Sequence, residues 1–153
     1  MTRHEEFMRL ALAQAREAFL DNETPVGAVI VRNGELVSVG RNRRENGKNA
    51  LYHAEIEAID KACKKLGGWR LWECEMYVTL EPCPMCAGAI INARKKKLYF
   101  GAADPKNGAV ISKLRMFDSG FTHIPEYEYG ILEEECSDIL KEFFKILRNK
   151  NKE

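Results

Sequence analysis

The strongest constraint on this chain is a pair of short stretches that have to meet in space. His53-Ala54-Glu55 and Pro82-Cys83-Pro84-Met85-Cys86 stand thirty positions apart, counted from His53 to Cys83. One imidazole and two thiolates form a soft ligand set suited to zinc. Any fold that uses them must bring His53 to the two cysteines. Cys83 and Cys86 are three apart, so a helix sets them on one face. Pro82 suits a helix start and puts both cysteines in the first turn. His53 also opens a stretch with helical spacing. Two helix N-termini would then converge, and their positive ends favour thiolates over thiols.

The ligand count decides what such a site can do. A structural zinc site is closed by four protein ligands. Here the clear set is His53, Cys83 and Cys86, while Cys63, Cys74 and Cys136 are singletons. A fourth ligand from His123 or Cys63 would close the site. A redox pair would leave His53-Ala54-Glu55 without a role. Three ligands leave a place for water, and a metal there lowers the pKa of that water to about 7. Glu55 is near enough to take the water proton and return it to a substrate.

The remaining pattern is that of one domain spanning residues 1–153. Glu5 to Leu20 reads as an amphipathic helix. Val26–Val31 and Leu36–Val39 read as strands joined by an Asn33-Gly34 hairpin turn. His53 to Leu66 reads as a helix stopped by Gly67-Gly68. Met76–Leu80 is a strand, Pro82–Ala93 a helix rich in small residues, and Leu98–Gly101 a strand. Residues 102–124 are mostly loop, and Glu133–Arg148 is an amphipathic helix. A hairpin followed by alternating helices and strands suggests an α/β/α sandwich.

Composition excludes several classes. The hydrophobic set is 45% and charged residues 31%, which argues against disorder. A net charge of +1 argues against a broadly basic nucleic-acid coat. The longest apolar run, Val26 to Val31, is too short to span a membrane. The charged start MTRHEEFMRL lacks a signal core. Five cysteines in no paired framework point to the reducing cytoplasm.

Several segments together resemble the bacterial tRNA adenosine deaminases of the cytidine-deaminase-like superfamily. They are Pro25-Val26-Gly27-Ala28-Val29, Arg41-Asn42, His53-Ala54-Glu55, and the run from Tyr77 through Glu81-Pro82-Cys83-Pro84-Met85-Cys86 to Ala89. Phe100-Gly101-Ala102, Asp104-Pro105-Lys106 and Gly130 through Cys136 complete the set. The His-x-Glu and Pro-Cys-x-x-Cys signature is specific to zinc nucleobase deaminases. The tail, with Phe143, Phe144 and Arg148, is what resembles the tRNA branch.

That resemblance implies a three-layer α/β/α sandwich on a five-stranded mixed sheet, usually a homodimer, with one zinc per subunit. It implies conversion of adenosine to inosine at the wobble position of a tRNA anticodon. It implies a mechanism in which hydroxide on zinc attacks carbon 6 and Glu55 shuttles the proton. It further implies that Asn42 bonds the base, and that Asp104, Lys106 and Arg148 lie near the anticodon loop. The nearest alternative is deamination of a free nucleobase or nucleoside: guanine, cytosine or adenosine. Leu51-Tyr52 and Val110-Ile111 depart from the family pattern, and bulky Tyr52 and Ile111 are expected to flank the substrate mouth.

Charge segregates along the chain. Arg41, Arg43, Arg44 and Lys48 against Glu45 give +3. Arg94–Lys97 is a run of four basic residues, and the tail from Lys141 carries +3 to Glu153. Either kind of run serves an RNA face or ordinary solvation. Phe143 and Phe144 are adjacent, so one is expected in the core and the other free for RNA or a partner subunit.

Overall fold

A computed structural model describes residues 2–151. Met1 lies outside the described residues, as do Lys152 and Glu153 of the basic tail. Helix α1 (Arg3–Leu20) begins at Thr2, whose hydroxyl accepts from the Glu5 amide, relieving one unpaired N–H of the first turn. Strands β1 (Gly27–Arg32) and β2 (Glu35–Arg41) form the expected hairpin. Asn33 and Gly34 both take positive φ, 51° and 80°, as the tight turn requires. Helix α2 (Ala54–Leu66) ends on Gly67 at φ 76°, a left-handed cap. Then follow β3 (Cys74–Leu80), α3 (Pro84–Asn92), β4 (Lys97–Ala102), β5 (Glu126–Tyr129) and α4 (Glu133–Asn151).

The strands form one sheet in the order β2-β1-β3-β4-β5. β1 runs antiparallel to β2 and β3, whereas β3, β4 and β5 are parallel. The sheet is therefore mixed and five-stranded, with helices on both faces. Side chains alternate along β1. Ala28 and Ile30 join Ala58, Ala62, Ala87 and Ile90 of α2 and α3. Val29 and Val31 join Met8, Ala11 and Leu12 of α1 and Cys136 of α4. Burial on both faces explains why β1 is apolar from Gly27 to Val31 rather than alternating.

Glycines set the helix heights over the sheet. A Cβ on Gly27 would stand 2.0 Å from the Ala11 carbonyl, and one on Gly40 would stand 2.3 Å from the Ala54 carbonyl. Gly40 thus lets the first turn of α2 lie directly on β2, which fixes where His53 can be.

Two local readings need correction. Cys83 is the N-cap of α3 and Pro84 its first residue, so only Cys86 lies within the helix. Pro84, not Pro82, supplies the preset φ at the start. Phe143 and Phe144 both stay out of the core. Phe143 is half-buried edge-on to Phe19, with ring centroids 5.6 Å apart, and Phe144 is 42% exposed. α4 packs at the rim of the sheet, where only Cys136 is fully covered. No described helix is long and apolar enough to cross a membrane.

Candidate metal centre and cavity

Two helix starts carry the ligands. His53 is the N-cap of α2 with an extended backbone, and its ring makes no capping bond to that helix. The ring is free to face the start of α3. Its Nδ1 lies 3.7 Å from Cys83 Sγ and 3.6 Å from Cys86 Sγ. Around a tetrahedral zinc, nitrogen at about 2.1 Å and sulfur at about 2.3 Å stand roughly 3.6 Å from each other. The triangle therefore has the size of three corners of such a site. Among the described residues no fourth His, Cys, Asp or Glu joins the group. His123 packs edge-on to Trp72, and the Cys63 thiol faces the Trp69 carbonyl at 3.9 Å. Neither closes the site.

The electrostatics suit a cation. A hydrogen bond from the Cys86 thiol lowers the Cys83 thiol to about 4, with the His53 ring adding to the effect. The same bond raises Cys86, and burial raises it further. His53 is raised chiefly by its bond to Cys83. The lowered Cys83 thiol favours the thiolate that a metal would need at the converging helix starts. Glu55, 4% exposed in the first turn of α2, is pushed up to about 7, mainly by burial. A carboxyl held near neutrality is able both to accept and to give a proton.

The triangle opens into a cavity of about 340 Å³, within the range of small-ligand sites. Asn42 stands in its wall, 7% exposed. Its Nδ2 donates to the Thr24 carbonyl at 3.3 Å, and its Oδ1 accepts from the Arg44 amide at 3.1 Å. Each group keeps one further bond to offer a ligand. Asp104 also lines the cavity, while its Oδ1 accepts the Lys106 and Asn107 amides in a turn. Lys106 is exposed at the tip of that turn and does not line the cavity. Arg148 is exposed in the last turn of α4 and does not line it either.

Sequence reasoning missed Thr24, Arg44 and Asn107 as cavity residues. Arg44 and Asn107 flank the singled-out Asn42 and Lys106, so only the turn geometry reveals them. Tyr52 and Ile111 are absent from the cavity wall. Tyr52 lies over Gly47 instead, and Ile111 is packed against the core.

Two buried carboxylates hold the loops on either side. Glu23, 1% exposed, accepts the Glu45 and Asn46 amides at 3.0 and 2.7 Å. Glu81 does the same for residues 104–112. Burial of Glu81 works toward a higher pKa, but the Ser112 hydroxyl and backbone N–H groups outweigh it and hold the carboxyl below the usual range.

The basic run carries acidic neighbours and lies away from the cavity. Lys97 pairs with Glu128 at 3.0 Å and Lys96 with Glu73 at 4.0 Å. Lys95 is buried. The run also stands at the start of β4, the opposite end of the sheet from the cavity at Leu80.

A family model described as MafB19-like deaminase matches residues 2–148. A tRNA-specific adenosine deaminase of Bacillus subtilis (strain 168) is 46% identical over 153 residues, covering 99% of this chain and 95% of that one. One from Rickettsia bellii (strain RML369-C) is 50% identical over 145 residues, covering 93% and 100%. A solved structure from studies of A-to-I editing by tRNA:A34 deaminases matches with TM-score 0.86 and 46% identity, covering 88% of this chain and 99% of that one. The guanine deaminase of Nitrosomonas europaea shares the fold, with TM-score 0.81, 24% identity and coverage of 91% and 83%.

Proposed function

The chain belongs to the MafB19-like deaminase family, among the tRNA-specific adenosine deaminases, and we infer that it converts adenosine to inosine at the wobble position of a tRNA anticodon. One observation carries this reading: a buried glutamate beside a His-Cys-Cys triangle, at the floor of a cavity with free hydrogen-bonding capacity in its wall. The reaction adds water across carbon 6 of adenine and releases ammonia. A zinc ion held by His53, Cys83 and Cys86 would supply an acidified water at neutral pH.

The protein's own groups do the rest. Glu55 takes the water proton on its carboxylate, delivers it to the ring nitrogen, and assists the amino group to leave. Asn42 uses its spare amide capacity on the base. The cavity wall excludes bulk water from the reacting carbon. Asp104, Lys106 and Arg44 meet the nucleotides around the extruded base, and Arg148 reaches phosphate farther out. An anticodon loop presents unpaired bases, so seating one costs little unstacking.

Residues 1–153 act in this reading as a single deaminase domain, working in the cytoplasm where tRNA is found. A homodimer fits the large apolar side chains left in solvent, Leu51, Tyr52, Leu114 and Phe121 among them, since a second copy is the simplest cover for such groups. Sedimentation at twice the monomer mass supports the dimer, and a monomer contradicts it.

The activity is tested with zinc-loaded protein and an anticodon stem-loop carrying adenosine at the wobble position. Inosine at that position, with free adenosine, guanine and cytosine unchanged, is the expected result. Conversion of a free base or nucleoside with the stem-loop untouched moves the substrate class to the alternative.

A further inference from the structure

We propose that Glu81 is the positioning residue that latches residues 104–112 against the cavity and so sets how tightly the substrate nucleotide is held. The proposal rests on the adenosine deaminase reading of the same site. Glu81 directly follows β3 and is 2% exposed. Its Oε2 accepts three successive amides, Val110 at 3.0 Å, Ile111 at 2.8 Å and Ser112 at 3.1 Å. Its Oε1 accepts the Asp104 amide at 3.0 Å and the Ser112 hydroxyl at 2.5 Å. Three consecutive N–H groups around one oxygen form a nest for an anion, and here the anion is the chain's own carboxylate.

Those bonds tie down both ends of a segment that has no regular structure of its own. Between them stand Asp104 and Asn107, which line the cavity. Gly108 is where the segment crosses the carboxylate. A Cβ there would lie 2.2 Å from the Glu81 carboxyl carbon, so only glycine lets the chain pass. Glu81 also lines the cavity, but both of its carboxylate oxygens are engaged by the amides and hydroxyl of the segment. Its effect on turnover runs through the wall residues it places.

Glutamine at this position presents one acceptor oxygen, and its NH2 points hydrogens at donors. Glu81→Gln should therefore release the segment and leave the metal triangle and Glu55 in place. Kinetics on the anticodon stem-loop, zinc stoichiometry and hydrogen exchange at Val110, Ile111 and Ser112 are measured together. Expected are full zinc content, faster exchange at all three amides, and a KM raised about tenfold with kcat within about threefold. Ser112→Ala removes one bond only and keeps the fold safe; it should raise KM about two- to threefold.

Unchanged exchange in both variants overturns the latch. Faster exchange with an unchanged KM overturns the positioning role. Zinc loss with a collapsed kcat in Glu81→Gln, with Ser112→Ala like wild type, assigns Glu81 to holding Cys83 and also overturns it. Wild-type protein silent on the stem-loop overturns the substrate reading instead. The exchange measurement then still decides the latch, and the KM arm is read on whichever free base or nucleoside is converted.

Discussion

At the scale of single residues, the most telling groups are buried charges that differ in what surrounds them. Glu23 and Glu81 are saturated with donors and hold loops. Lys95 has no such compensation: it is 3% exposed and its Nζ has no hydrogen-bond partner. Burial pushes its ammonium down to about 7, opposed weakly by the Cys74 and Cys63 thiols. In the unfolded chain a lysine titrates near about 10.4, so between these values the unfolded state binds more protons. Stability contributed at this position is lowest below pH 7 and rises with pH up to about 10. Lys95→Met should accordingly stabilise the protein by about 1–3 kcal/mol at pH 6, with the gain shrinking by pH 10. Urea midpoints of both proteins at the two pH values check this. A gain that does not change with pH contradicts the assignment. The metal triangle and Glu55 were legible in the sequence because zinc chemistry tolerates few residue types at few spacings. Arg44, Asn107 and Glu81 were not, because their roles depend on where two loops fold back. Tyr52 and Ile111 stand outside the cavity wall, since size alone does not say which way a side chain turns.

Among the elements, periodicity located the four α-helices of the described residues and both hairpin strands to within a few residues. It left β5 unassigned: Glu126–Tyr129 alternates charge with tyrosine and, except for half-buried Tyr127, remains exposed, so no apolar signal marks it. Its place is set by pairing with β4, a long-range fact. The glycine contacts were equally silent, since a missing side chain leaves no pattern. They nevertheless make a sharp prediction. Gly40→Ala must lift the first turn of α2 off β2 and carry His53 away from Cys83 and Cys86. Gly27→Ala disturbs α1, which bears no ligand. Both should cost about 1–3 kcal/mol in denaturant unfolding, but only Gly40→Ala should also weaken zinc affinity in a chelator competition. Equal zinc affinity in the two variants would mean that α2 tilts without moving His53.

For the whole molecule, the parallel half of the sheet aligns the carboxyl ends of β3 and β4, and the chain leaving each end supplies one side of the cavity. The hairpin supplies the other side through Asn42, and α2 and α3 bring their positive starts to its floor. The architecture thus concentrates His53, Cys83, Cys86, Glu55 and the cavity wall at one end of the sheet. The proposed hydrolytic deamination at this end depends on Glu55 as the proton carrier. Its most direct test is inosine formation in the wobble stem-loop by Glu55→Gln, with zinc measured on the same sample. Wild-type zinc content and a turnover reduced at least about a hundredfold are expected. Deamination at the wild-type rate by a zinc-replete Glu55→Gln protein would contradict that role.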